Sequence, residues 1–285
     1  MSVAVLFSLL LGFQQNFPGK ALSDAVQQEL ESQTGFPIQI TPVRLAWDHI
    51  EIPEVAFFSP EWMTELPRTR LFVIEQIKLS YLPLLLGKPL QLHANIHEGE
   101  FLLSTNIRKP QSLKFSLKNL DLKRMPLSSV LPYAIPSGIF SFEGEIPKIN
   151  MDMTQIQKGS FSGDLKNFQI KWKPQEEPLS GLKLPDLALS RVHLQARMGN
   201  IVEIDELKLE GDLQGTLDGK IRVSPKQIQN SQVLLHTKFQ VAPKILAELG
   251  AMKLLLKGFQ CGETLDMQIS GTLSQLKTPK RGSCS

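Results

Sequence analysis

At 285 residues, with 42% hydrophobic and 21% charged side chains, the chain has the composition of a folded protein able to bury a sizeable core. Its net charge of +3 comes from Lys and Arg scattered among acids, with one basic cluster at Lys277, Lys280 and Arg281. Nucleic-acid binders gather basic residues on a patch interleaved with stacking aromatics, so no nucleic-acid partner is expected.

The chain opens with an uninterrupted apolar run over residues 3–13. A spanning helix needs about 20 residues, and this run is nearer the length of a signal-peptide core. No basic residue precedes it and no small-x-small cleavage site follows, so residues 1–16 are expected to be the distal end of a longer hydrophobic anchor. A short buried core element ranks second. Residues 21–34 then place Leu22, Val26 and Leu30 four apart against a Gln, Glu and Asp face, which predicts an amphipathic helix. Gly35 supplies the C-cap and Pro37 blocks continuation.

From residue 36 to 58 the pattern is one of short strands, and the prolines of 59–67 predict an irregular loop. Residues 71–81 alternate on Leu71, Val73, Ile77, Leu79 and Tyr81, a strand returned by the connector 82–89 into residues 90–97. Glu98-Gly99 is a turn signal, and 100–107 runs back. Further strands are expected at 113–117 and around Leu120, and residues 125–137 as a helical or irregular crossover. Glycine-punctuated hairpins follow from 139 to 172. Residues 173–178, with two prolines, are the most loop-like segment and mark a seam near 173–180 between two sheet halves.

Strands resume at 187–197, 202–209, 217–223 and 233–241. Residues 206–225 carry the clearest signal: Leu207, Leu209, Leu213, Leu217, Ile221 and Val223 all fall on one parity, with Gly211, Gly215 and Gly219 between them. A second amphipathic helix is predicted over 243–256, a last strand over 265–273 and a tail over 278–285. The expected domain is therefore 17–277. Its class is mainly β: a long, twisted, mostly antiparallel sheet, open or groove-like, with two amphipathic helices and the N-terminal membrane segment.

Two helices of about four turns reach about 20 Å each, whereas a dozen strands at nearly 5 Å apiece make a much wider sheet. Its uncovered apolar face must fold on itself, pack on a second sheet, meet a partner or hold lipid. If it holds lipid, the trough is expected to be lined by Leu71, Val73, Leu90, Leu92, Leu207, Leu209 and Leu217.

Chemistry-bearing patterns are weak. His93 and His97 lie four apart with Glu98 and Glu100 beside them, but on a strand four residues span about 13 Å, too far for two imidazoles to share a metal. The spacing of Gly211, Gly215 and Gly219 lacks the Lys-Ser/Thr pair of a phosphate loop, and turns or bulges explain it. His49, His193 and His236 stand alone, and Glu143, Glu145, Asp164, Asp212 and Asp218 sit at turn or solvent-face positions. No catalytic site, metal or cofactor is expected. Cys261 and Cys284 leave two readings open: a disulfide, contributing about 3 kcal/mol in the chain-entropy model, or two separate thiols.

The Phe17-Pro18 opening with Gln33-Thr34-Gly35, the connector Leu84-Leu85-Leu86-Gly87-Lys88-Pro89, the segment His97-Glu98-Gly99-Glu100-Phe101 and the Gly-Asp-Leu-x-Gly-x-Leu-x-Gly repeat resemble the type II secretion system protein N family. That family is similar in turn to the AsmA-like group of membrane-anchored, β-rich envelope proteins. The resemblance spans about Phe17 to Lys277. It implies a bacterial inner-membrane protein with its bulk in the periplasm, acting as a non-catalytic accessory to the general secretion pathway beside other pathway subunits. Relatives in the wider group imply the alternative, a groove that binds or transfers phospholipid.

Overall fold

A computed structural model of the chain describes residues 17–59, 70–106, 112–125, 134–148, 158–172, 185–199, 201–224, 230–250, 252–272 and 274–282. Helix α1 (Gly19–Thr34) ends where Gly35 turns left-handed at φ 71°, its N–H donating to the Glu31 carbonyl. The apolar stripe of α1 sets Val26 and Leu30 on Ile38, Ile40 and Val55, the best-buried cluster of the fold. Ile38 and Ile40 lie on β1 (Ile38–Ile40), and Val55 on β3 (His49–Phe58), which also pairs with the two-residue β2 (Arg44–Leu45).

From there the chain is a meander. Strands β4 (Arg70–Ser80), β5 (Leu90–Ile96), β6 (Gly99–Asn106), β7 (Ser112–Asp121), β8 (Ala134–Ile146), β9 (Gly159–Trp172), β10 (Leu187–Met198), β11 (Ile201–Gly211), β12 (Leu213–Arg222) and β13 (Gln232–Val241) each pair antiparallel with the next. Strand β15 (Thr264–Thr272) follows β13, flanked by β14 (Gln260–Cys261) and β16 (Lys280–Arg281). Among the described residues sixteen strands belong to one sheet whose two ends do not join. The expected mainly β, antiparallel, open sheet is what forms.

Both edges are closed by the chain itself. Glu31 Oε1 accepts from the Ile38 N–H at 2.8 Å and Gln27 Oε1 from the Ile40 N–H at 3.3 Å, so the helix satisfies the outer side of β1. At the far end, β14, β16 and the Gly271–Leu276 bridge lie along β15. Among the described residues neither edge offers the long row of free donors and acceptors that invites strand addition.

Several expectations need correcting. The helix predicted over 243–256 is two short ones, α3 (Pro243–Glu248) and α4 (Met252–Lys257), because Gly250 between them sits at φ 52°. Part of the 82–89 connector is a helical turn, α2 (Leu82–Leu85). The β5–β6 turn is centred on His97 and Glu98, both at positive φ, one residue before the expected Glu98-Gly99. Residues 280–282 are not a free tail: Lys280 and Arg281 pair with Gln268 and Met267, and the Gly282 N–H donates to the Asp266 carbonyl at 3.0 Å.

The apolar run 3–13, most of the 59–67 loop and the 173–180 seam lie outside the described residues. Strands β9 and β10, on either side of that seam, pair in one continuous register from Leu187–Ile170 to Met198–Gly159. Among the described residues no helix is long and apolar enough to cross a membrane.

Candidate binding face

Residues directly opposite one another on paired strands share a face, so the register traces each face across the sheet. One row begins at Leu79 and passes through Leu92, Leu103, Phe115, Gly144 and Phe161, crossing β4 to β9. It continues through Ala196, Ile204, Gly219, Leu235 and Ile269 to β15. Eleven strands contribute and none presents a polar side chain. At nearly 5 Å per strand, the row is about 48 Å wide.

A neighbouring row runs Phe101, Leu117, Phe142, Gly163, Leu194 and Leu207, then Leu217 and Thr237. A third crosses Phe140, Leu165, Val192, Leu209, Gly215 and Phe239. The centre is aromatic: the Phe142 ring lies 5.6 Å from Phe115, 6.2 Å from Phe140 and 5.7 Å from Phe161. Phe115 folds over Gly144, with its Cε2 only 2.8 Å from where a Cβ would stand. Rings laid over glycines keep the surface low.

Most side chains in these rows are half-buried, held by in-sheet neighbours and still open to solvent. Helix α1 roofs the β1–β4 end, and among the described residues no second sheet lies on the rest. Covering the exposed part of each half-buried leucine or phenylalanine would contribute roughly 1 kcal/mol, about half of what full burial supplies.

Five of the seven expected trough residues meet here: Leu90, Leu92, Leu207, Leu209 and Leu217. Leu71 and Val73 do not. They alternate with Phe72 and Ile74, which pair with Phe57 and Val55 beneath α1, so Leu71 and Val73 point to the opposite face. The cause is a bulge. Gln76 adopts φ 50° and the β4–β5 register shifts between Glu75 and Lys78, so the alternation changes phase at that point.

The opposite face is polar and laced by ion pairs between adjacent strands. Lys114 meets Glu145 at 3.3 Å, Lys220 meets Glu203 at 2.7 Å, and Arg197 clasps Asp205 through Nε and Nη2. Charge here marks the solvent side, which fixes the other side as the apolar surface.

On this polar face Arg191 Nε donates to Asp164 Oδ1 at 2.7 Å, and His193 Nδ1 stands 3.1 Å from the same oxygen. Burial pushes the Asp164 carboxyl up, but the hydrogen bonds and charges of Arg191 and His193 outweigh it and hold the group below its ordinary value. A carboxylate depressed in the folded state adds stability above its unfolded pKa of about 4, and that stability is lost as pH falls through the folded value. Arg191→Ala should therefore cost about 0.5–1 kcal/mol at pH 7, and the gap from wild type should close below about pH 4 in denaturant titrations.

The chemistry-bearing residues meet as scattered pairs and not in one site; His193, His49 and His236, expected to stand alone, each contact an aspartate. His93 lies opposite Leu102 on the polar face and His97 is in a turn. His49 contacts Asp48, and His236 sits between Asp218 and Asp266. Glu143 accepts from Ser162. Among the described residues no group of His, Cys, Asp or Glu is arranged to hold a metal ion. Cys261 is disulfide-bonded, and Cys284, the other cysteine of the chain, lies outside the described residues. Compared with protein-family models, curated proteins and solved structures, the chain finds no match.

Proposed function

We propose that the protein is a non-catalytic, membrane-anchored accessory component of the type II secretion pathway, with its bulk in the periplasm, working through the apolar face of its sheet. The observation that supports this reading is the unroofed row from Leu79 to Ile269, apolar at every strand, in a sheet whose edges are already closed. Such a protein engages others through a face. The link to secretion rests on the motif resemblance carried by Phe17-Pro18, the 84–89 connector and the glycine repeat.

Deleting the gene in its native host tests it. Folded cargo of the pathway should accumulate behind the outer membrane while proteins exported by other routes are unaffected; unchanged cargo release would contradict the proposal.

A second reading is favoured by the convergence of Leu90, Leu92, Leu207, Leu209 and Leu217 on that face: a groove that binds or transfers phospholipid. Each methylene of an acyl chain laid on these rows contributes about 0.8 kcal/mol, so a partly covered chain is held firmly. The two readings share one surface and differ in its occupant.

A further inference from the structure

Trp47, 71% exposed, caps the loop between β2 and β3, and Leu86, 69% exposed, follows α2 in the loop between β4 and β5. The two loops are tied together. The Tyr81 hydroxyl donates to the Ala46 carbonyl at 2.7 Å, and the N–H groups of Tyr81 and Leu82 donate to the Asp48 carbonyl at 3.2 and 3.4 Å. Leu84, 38% exposed, adds to the same projection.

Helix α1 starts at this end. Its pairings with Ile38, Ile40 and Val43 run from Glu31 through Gln27 to Gly19, whose carbonyl accepts from the Val43 N–H at 3.3 Å, next to β2. Leu22, in the first turn of α1, is 39% exposed. Residues 1–16, with the apolar run 3–13, lead directly into that helix start. Lys20, Arg44 and Lys88 are exposed beside these elements, and none pairs with a carboxylate among the described residues. Of the nearby acids among the described residues, Asp48 is engaged by His49 and Glu51 by Lys78, while Asp24, one turn past Lys20 on α1, is exposed, so the three cations outnumber the one free carboxylate.

We propose that Trp47, Leu84 and Leu86 form a tip that inserts into the interfacial layer of an anionic phospholipid bilayer, with Lys20, Arg44 and Lys88 against the headgroups. Trp and Leu beside Lys and Arg is the side-chain set that partitions to a bilayer interface. The start of α1 at Gly19 lies against Val43, beside β2 and the Trp47 loop, so the described fold begins at the end that carries the tip. The inference goes beyond the acyl-chain face and needs no lipid on it. It also sets the Leu79–Leu92 end of the apolar row beside the membrane, since Leu90 opens β5 directly after the tip loop.

The full chain with Trp62→Phe and Trp172→Phe keeps Trp47 as its one tryptophan, excited selectively at the red edge where tyrosine does not absorb. With vesicles of phosphatidylcholine and phosphatidylglycerol, Trp47 emission should shift to the blue and be quenched by lipids brominated near the headgroup. In the otherwise unaltered chain, Trp47→Ser with Leu86→Ser should lower vesicle partitioning about tenfold or more. These side chains are exposed, so folding should be unchanged, and lipid carried on the sheet face should be retained, which separates failure of the tip from failure of the face. Unchanged partitioning, or Trp47 as open to acrylamide with vesicles as without, overturns the proposal. A blue shift that grows with protein concentration in the absence of vesicles assigns the tip to a second copy of the chain and overturns it equally.

Discussion

Replacing Gly215 with valine is expected to lower stability by about 3 kcal/mol or more, enough to abolish folding of a marginal sheet. Gly215 lies between Leu209 on β11 and Phe239 on β13. A Cβ there would run into the Lys238 carbonyl and stand 2.5 Å from the Phe239 Cα. Both obstacles are backbone, so the clash is relieved only by parting β12 from β13. Gly163 on the same face is the control: its nearest neighbour is a Phe142 ring carbon at 3.6 Å, ordinary contact distance. Gly163→Ala should cost less than about 1 kcal/mol. Urea midpoints of the two variants decide the matter, and equal shifts would mean that close strand approach at Gly215 is not what the glycine supplies.

The second large effect concerns function. Leu207→Glu combined with Leu209→Glu should abolish lipid retention while leaving the chain folded. Both leucines are half-buried on the open face, so a glutamate at either position can turn its carboxylate to water. Ile38→Glu makes the contrast. Ile38 is 1% exposed beneath α1, where an unpaired carboxylate costs several kcal/mol, and that variant should unfold. Were Leu207 and Leu209 sealed in a closed two-layer core, their double variant would unfold as well.

Much of the architecture was readable from period-two alternation, because a sheet wet on one side imposes that period on every strand. The face of a given residue was less so. Three tetrads break phase in the same way: Ile74-Glu75-Gln76-Ile77, Leu117-Lys118-Asn119-Leu120 and Leu165-Lys166-Asn167-Phe168. Each joins two apolar residues across a charged and an amide residue, and Gln76, Asn119 and Asn167 all take positive φ. Asparagine tolerates that conformation, so the amide marks the bulge and the apolar residues on either side keep to one face. Read with the tetrad, β4 contributes Phe72, Ile74, Ile77 and Leu79 to the apolar face; Leu71 and Val73 follow the strict alternation that the bulge interrupts.

Other features depended on contacts distant in sequence. Strand β16 forms because Gln268 and Met267 leave an edge that Lys280 and Arg281 can complete, which local propensity does not encode. Trp47 reads as an ordinary strand-region aromatic until the Tyr81 hydroxyl ties its loop to the one carrying Leu86. The break at Gly250 was visible as a residue but outweighed by the apolar spacing around it; one left-handed glycine was enough to divide the helix.

The phospholipid reading of this face requires the rows from Leu79 to Ile269 to be an open surface that takes hydrocarbon. Native mass spectrometry of the protein extracted and purified without detergent measures this directly. The expected spectrum carries phospholipid at a fixed stoichiometry, lost from the Leu207→Glu, Leu209→Glu variant. A wild-type protein that is folded and consistently free of lipid would contradict it.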